Sequence, residues 1–284
     1  MSTYRARYPE RIVCLTEETT ELLYLLGEQD RIVGISGFTV RPPQARREKP
    51  KVSAFTSARY GRILDLKPDL VIGFSDLQAD IAAELIRRGV NVLVMNQRSI
   101  PEILDMILTL SSMVGAVQRG QALVDQYSAR LSDIESRVAA HQQKHPQAAR
   151  PRVYFEEWDE PMISAIRWVS ELVGVAGGQD CFAELGQMSH GKDRIIADAQ
   201  RVIEADPQII IGSWCGKKFR PDKVASRPGW DKIDAVRHGR LHEIKSANIL
   251  QPGPAALTDG LEQLHQIMMD FHADAAAGTR PGGV

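Results

Sequence analysis

The chain has little of three things: cysteine, net charge and long apolar runs. Its three cysteines, Cys14, Cys181 and Cys215, share no metal-knuckle or CxxC spacing. That excludes a disulfide framework, and an odd count fits a reducing compartment. A net charge of −1 excludes the basic excess of a nucleic-acid surface. No apolar run approaches the roughly 18–20 residues of a membrane span. Neither a complete P-loop nor a GxGxxG pattern occurs. The opening stretch MSTYRARYPERIVCLTEETTELL is broken by Arg5, Arg7, Glu10 and Arg11. A secretory signal would need an apolar core of about 7–15 residues there. The expectation is therefore a cytoplasmic protein, or a periplasmic one if a leader was trimmed away.

What is present is ordinary for a globular chain: 43% hydrophobic and 25% charged residues over 284 positions, enough for one large domain or two. One phrase is written twice. Residues 62–73 read RILDLKPDLVIG and residues 201–212 read RVIEADPQIIIG. Each decodes as the tail of an amphipathic helix, a proline where the chain leaves it, and a short apolar strand. Continuous apolar strands suit a parallel sheet covered on both faces.

The flanks alternate accordingly. Strands are expected at 11–15, 31–36, 69–73 and 90–95, with helices over 18–26, 77–88 and 101–114. In the second half, strands at 152–156, 208–212 and 240–244 alternate with helices over 168–175, 195–205 and 254–272. Such alternation predicts an α/β fold with mostly parallel sheets. Between the halves, Val117, Val124, Tyr127, Leu131, Ile134 and Val138 recur at helical spacing. They predict one long helix of roughly 40 Å. The expected organisation is an N-terminal α/β lobe (1–115), a bridging helix (116–147), a C-terminal α/β lobe (148–274) and a disordered tail (275–284). A ligand would then lie in the cleft between the lobes.

In this order, PPQARREKPKVSAF (42–55), the doubled phrase, ELVGVAGGQDCF (171–182) and RPGWDKIDAVRHGRL (227–241) resemble the class III substrate-binding proteins for ferric siderophores and vitamin B12 that feed ABC importers. The cobalamin-binding members are the most similar in pattern. The resemblance implies two α/β lobes joined by one backbone helix, and a metal-chelate ligand that is cobalamin or another corrinoid, alternatively haem or a ferric siderophore. It implies no covalent cofactor. Members similar to these carry a docking glutamate on each lobe. Gly61 and Gln200 stand at the matching positions here, which puts transporter docking in doubt.

Ligands of open α/β sheets gather at the carboxyl ends of the strands. That rule nominates Phe74, Glu157, Trp158 and Trp214 as ligand-facing, and the resemblance adds Phe55, Tyr60 and Gln251. Trp168 opens a helix with apolar positions at 168, 169, 172 and 173, so core packing competes with ligand contact there. Trp230 reads as a structural plug. In SWCGKKFRP (213–221), Lys217, Lys218 and Arg220 are either a solvated loop or an anion clamp. Cys215 and His190 are candidate metal ligands, weighed against a turn residue and a surface histidine. Glu156 and Glu157 point to opposite sides of a strand, which argues against a catalytic carboxylate pair. The leading expectation is a non-enzymatic binding protein. The alternative is a cytosolic metal-cofactor enzyme or assembly factor of chelatase-like architecture, with Cys215, His190 and Glu157 as ligands.

Overall fold

The structure, a computed structural model, describes residues 7–278. They divide into two compact units. Unit 1 comprises residues up to Gln97, Pro101–Gln126 and Gln251–Pro254; unit 2 comprises Arg98–Ile100, Tyr127–Leu250 and the chain from Ala255.

Unit 1 is built on strands β1 (Ile12–Cys14), β2 (Ile32–Ser36), β3 (Lys51–Ser53), β4 (Leu70–Phe74) and β5 (Val92–Met95). Their order is β3-β2-β1-β4-β5, and every neighbouring pair is parallel. Helices Glu17–Leu25, Pro43–Glu48, Tyr60–Asp65 and Ala79–Arg87 alternate with the strands. The central strands β1 and β4 are buried along their whole length, as expected for strands covered on both faces. Val13, Leu15, Val52, Ile63, Val71, Ile81 and Leu85 form one core cluster. Burial of each such aliphatic side chain contributes roughly 1.5–3 kcal/mol before entropy is charged.

Unit 2 holds β6 (Arg152–Asp159), β7 (Met162–Ser164), β8 (Gln179–Asp180), β9 (Ile209–Gly212) and β10 (Leu241–Glu243). The path is β10-β9-β6-β7, with β8 also on β6. All pairings are parallel except the β6–β7 hairpin. The predicted helix over 195–205 is shorter than expected, Gln200–Ala205, because Ile195 instead bridges Ile163 beside that hairpin. The long helix is confirmed as Val117–Lys144, with Tyr127, Ile134 and Val138 buried. The closing helix runs through Gly278, into the stretch expected to be disordered. Residues 279–284 of that expected tail lie outside the described residues.

The doubled phrase builds the same device in each unit. Lys67 and Asp206, at equivalent positions, both take left-handed backbone (φ 46° and 41°) immediately before the proline. An arginine entering the neighbouring strand then caps the exposed carbonyls of the helix end. Arg11 donates from Nη2 to Leu66 O (2.6 Å) and from Nε to Lys67 O (3.1 Å). Arg152 donates from Nε to Ala205 O (3.1 Å) and from Nη2 to Asp206 O (2.6 Å). The shared glycine leaves least room in unit 2. A Cβ on Gly73 would lie 2.8 Å from Gln78 Oε1, and one on Gly212 would lie 1.9 Å from the Phe219 ring.

Candidate ligand-binding site

In unit 1 the strand order reverses between β1 and β4, the switch point at which open α/β sheets open a crevice at their carboxyl ends. Gln78 braces this end. Fully buried, it accepts from Phe74 N (3.0 Å) and donates to Leu15 O (3.3 Å) and Phe55 O (2.9 Å), tying the loops after β4, β1 and β3 together. Ser75 beside it holds φ 64°, a conformation that costs a non-glycine residue energy and concentrates at functional loops. Around these loops stand apolar side chains turned to solvent: Phe38 (47% exposed), Val40 (42%) and Leu77 (54%). Phe55 is half-buried on the loop after β3. Phe38 and Val40 follow β2 in GFTV, two apolar residues beyond a strand's end that the sequence reasoning passed over. Phe74 is buried at the end of β4. Tyr60 is half-buried against the core cluster, with the Arg88 guanidinium 5.1 Å from its ring centroid. Gln251 is half-buried.

In unit 2 the equivalent reversal lies between β6 and β9, and there the end of the sheet is filled by the protein's own polar groups. Glu156, fully buried, receives Arg227 Nη1 (2.5 Å) and Nη2 (3.0 Å), Tyr154 Oη (2.9 Å) and Trp214 Nε1 (3.0 Å). Trp214 also packs edge-on against Phe219, 5.0 Å between centroids. It is a buried core residue with no ring face open to a ligand, which corrects the expectation for it. Trp168 is corrected likewise: buried, it donates Nε1 to Ile249 O (2.9 Å). Trp230 is a fully buried plug, as expected. Trp158 alone of the four tryptophans stays half-buried, its Nε1 on Glu160 O (2.9 Å) and the Lys217 ammonium 4.0 Å from its ring centroid.

The cations of 217–220 are not an idle anion clamp. Lys217 and Lys223 both pair with the buried Asp159, and Arg220 with Asp222 (2.7 Å). Burial pushes the Asp159 carboxyl up, but the two ammonium groups outweigh it and hold the group below its ordinary value. Lys218 is exposed.

The proposed metal set does not assemble. Glu157 is bound by Arg194 through two nitrogens (2.6 and 3.2 Å), His190 lies 3.4 Å from Asp193, and Cys215 is exposed. Among the described residues, no three His, Cys, Asp or Glu side chains are placed to hold a metal ion. Cys14 is core, its thiol pushed up to about 12 by burial.

Compared with known proteins, residues 12–247 match the family described as periplasmic binding protein. The chain belongs to that family. It is 27% identical over 263 residues to the vitamin B12-binding protein of Vibrio cholerae serotype O1, across 90% of this chain and 87% of that one. It is 24% identical over 263 residues to YvrC of Bacillus subtilis (strain 168), an uncharacterized ABC transporter substrate-binding lipoprotein, across 90% and 79%. A crystal structure of a periplasmic heme-binding protein from Pseudomonas aeruginosa matches with a TM-score of 0.78 at 21% identity, covering 92% of each chain. At that identity the likeness shows the fold alone. Periplasmic binding proteins of this kind hold small ligands for ABC import systems and are not enzymes, in line with the expectation of no catalytic role. Among the described residues, no helix is long and apolar enough to cross a membrane.

Proposed function

We propose that this periplasmic binding protein family member holds a corrinoid, a cobalamin-like metal chelate, at the carboxyl ends of its strands and performs no chemistry on it. The observation that carries the reading is the solvent-facing apolar group Phe38, Val40 and Leu77, set around the braced loops of the unit 1 switch point. Exposed apolar residues clustered at a sheet's ligand end suit a large, flat, weakly polar ligand. The vitamin B12-binding relative, aligned over most of both chains, supports the same class. Pairing of Lys217 and Arg220 within unit 2 removes the main reason to expect an oxyanion-rich ligand. Haem and ferric siderophores remain the alternatives. Titration of the purified chain with cyanocobalamin, haemin and a ferric hydroxamate, followed by absorbance and calorimetry, tests the reading. Saturable corrinoid binding in the micromolar range or tighter is expected; no corrinoid binding at those concentrations would overturn it.

We further propose that the carrier works without the acidic latch of docking members, in the cytosol. Gly61 and Gln200 are both exposed at the docking positions and offer no carboxylate. Co-fractionation of the native protein with periplasmic markers would overturn the location.

A further inference from the structure

The switch point of unit 1 is short of hydrogen-bond donors. Glu17 and Glu18 occupy the first turn of the helix that follows β1. Glu18, 1% exposed, accepts the Thr16 hydroxyl on Oε1 (2.5 Å), while its Oε2 has no hydrogen-bond partner. A second oxygen in the same condition comes from the far side of the sheet. Gln97, 4% exposed, donates Nε2 to Pro252 O (3.0 Å), and its Oε1 is without a partner. The next residue, Gly253, lies so close to Glu18 that a Cβ on it would stand 2.5 Å from Glu18 Cβ. Both orphan oxygens therefore flank one short segment, Gln251–Pro254.

The charged groups around this patch do not supply the missing donors. Arg41 pairs with Glu21 (2.8 Å), and Arg46 donates to the carbonyls of Gly37 (2.6 Å) and Thr39 (3.2 Å). Glu17 accepts Val40 N (3.2 Å). Burial pushes both the Glu17 and Glu18 carboxyls up to about 7, with each raised further by carboxylates nearby. Buried acceptors without donors are costly, and a bound group that brings N–H donors relieves the cost. A ligand carboxylate would instead add acceptors and like charge.

We propose that the carboxyl end of the unit 1 sheet is a donor-seeking face that selects chelates carrying primary amides over chelates carrying carboxylates, with Glu17, Glu18 and Gln97 as its specificity residues. The inference rests on the corrinoid-binding reading and narrows it. Glu17 and Glu21 form the rim of the patch; Glu18 and Gln97 form its floor beside the segment 251–254.

Two probes with the same ring test it: dicyanocobinamide, whose side chains are amides, and dicyanocobyrinic acid, in which they are carboxylates. Calorimetry on the full chain at pH 7.5 should show the amide form bound at least tenfold tighter. Glu17→Gln and Glu17→Gln/Glu18→Gln should narrow that ratio by threefold or more, chiefly by improving the carboxylate form. Glu17→Gln, at the rim, keeps the test informative if the double variant fails to fold. Equal or tighter binding of the acid by the native chain overturns the inference alone, as does a ratio unmoved by the folded variants. Binding of neither probe overturns the corrinoid reading and this inference with it.

Discussion

Glu18→Gln is expected to stabilise the protein at alkaline pH while changing little at acid pH. Burial holds the Glu18 carboxyl near 7, whereas in the unfolded chain it titrates near 4.5. Between those values the unfolded chain has already released the proton that the native state retains. Native stability must therefore fall as pH rises from about 4.5 to about 7 and level off above. The separation of about 2.5 pH units corresponds to about 3 kcal/mol. Glutamine keeps the shape and an acceptor oxygen but cannot ionise. The stability difference between variant and native chain should thus grow by about 2.5 kcal/mol from pH 5 to pH 8. Taking the difference cancels groups common to both proteins. Among these are His141, His242 and His272, which burial pushes below their ordinary value and which therefore weaken the fold as pH falls. All four tryptophans lie in unit 2, so fluorescence would follow the wrong half of the molecule. The suitable assay is native-state hydrogen exchange of the β1 and β4 amides at pH 5, 6, 7 and 8, corrected for intrinsic exchange. A difference flat across that range, or one that shrinks toward pH 8, would refute the argument.

Gly212→Ala, which forces a Cβ into the Phe219 ring, should destabilise unit 2 by about 1–3 kcal/mol or more in urea melts. Gly61→Ala, with open space around it inside a helix, should instead stabilise by up to about 1 kcal/mol. Arg11→Ala and Arg152→Ala each uncap a repeated helix end and should cost about 1–3 kcal/mol, readable as lowered denaturant midpoints confined to the affected unit. Phe38→Ala should weaken corrinoid affinity by roughly fivefold to a hundredfold, on the order of 1–3 kcal/mol, with the melting temperature unchanged; equal affinity by calorimetry would remove Phe38 from the site. Glu156→Gln should destabilise unit 2 by about 3–5 kcal/mol in urea melts followed by tryptophan fluorescence, because it leaves the Arg227 charge uncompensated.

The central strands were legible because a continuous apolar run has one common use in an alternating α/β chain. Arg11–Leu15, Asp69–Gly73 and Gln208–Gly212 all landed on observed strands. β3, β7 and β8 escaped because two or three residues, some of them polar, carry no periodicity to read. Trp168 and Trp214 were misjudged for a different reason. An indole at a strand end or helix start reveals nothing of a carbonyl 81 residues away or a buried carboxylate 58 residues away that will accept its N–H. The loop cations failed likewise, since Asp159 precedes Lys217 by 58 positions. Glu17 and Glu18 look like an ordinary acidic first turn, favourable beside the helix dipole. Their burial comes in part from Val40 and Gly253, which the chain brings back from elsewhere.

The same substitution in the two units, at Glu18 in the helix after β1 and at Glu156 within β6, is thus expected to act in opposite directions, and the reason lies in how each carboxylate is met. Glu156 receives four hydrogen bonds from three side chains, including a two-pronged arginine. Its charge is compensated within unit 2, and removing it strands its partner. Glu18 receives one hydroxyl and keeps one oxygen without a donor. Its charge is carried at a cost that a neutral side chain would relieve. Two units built on one scaffold, down to the arginine caps, therefore meet these two carboxylates differently: both oxygens of Glu156 are paired within unit 2, whereas Glu18 keeps one oxygen without a donor.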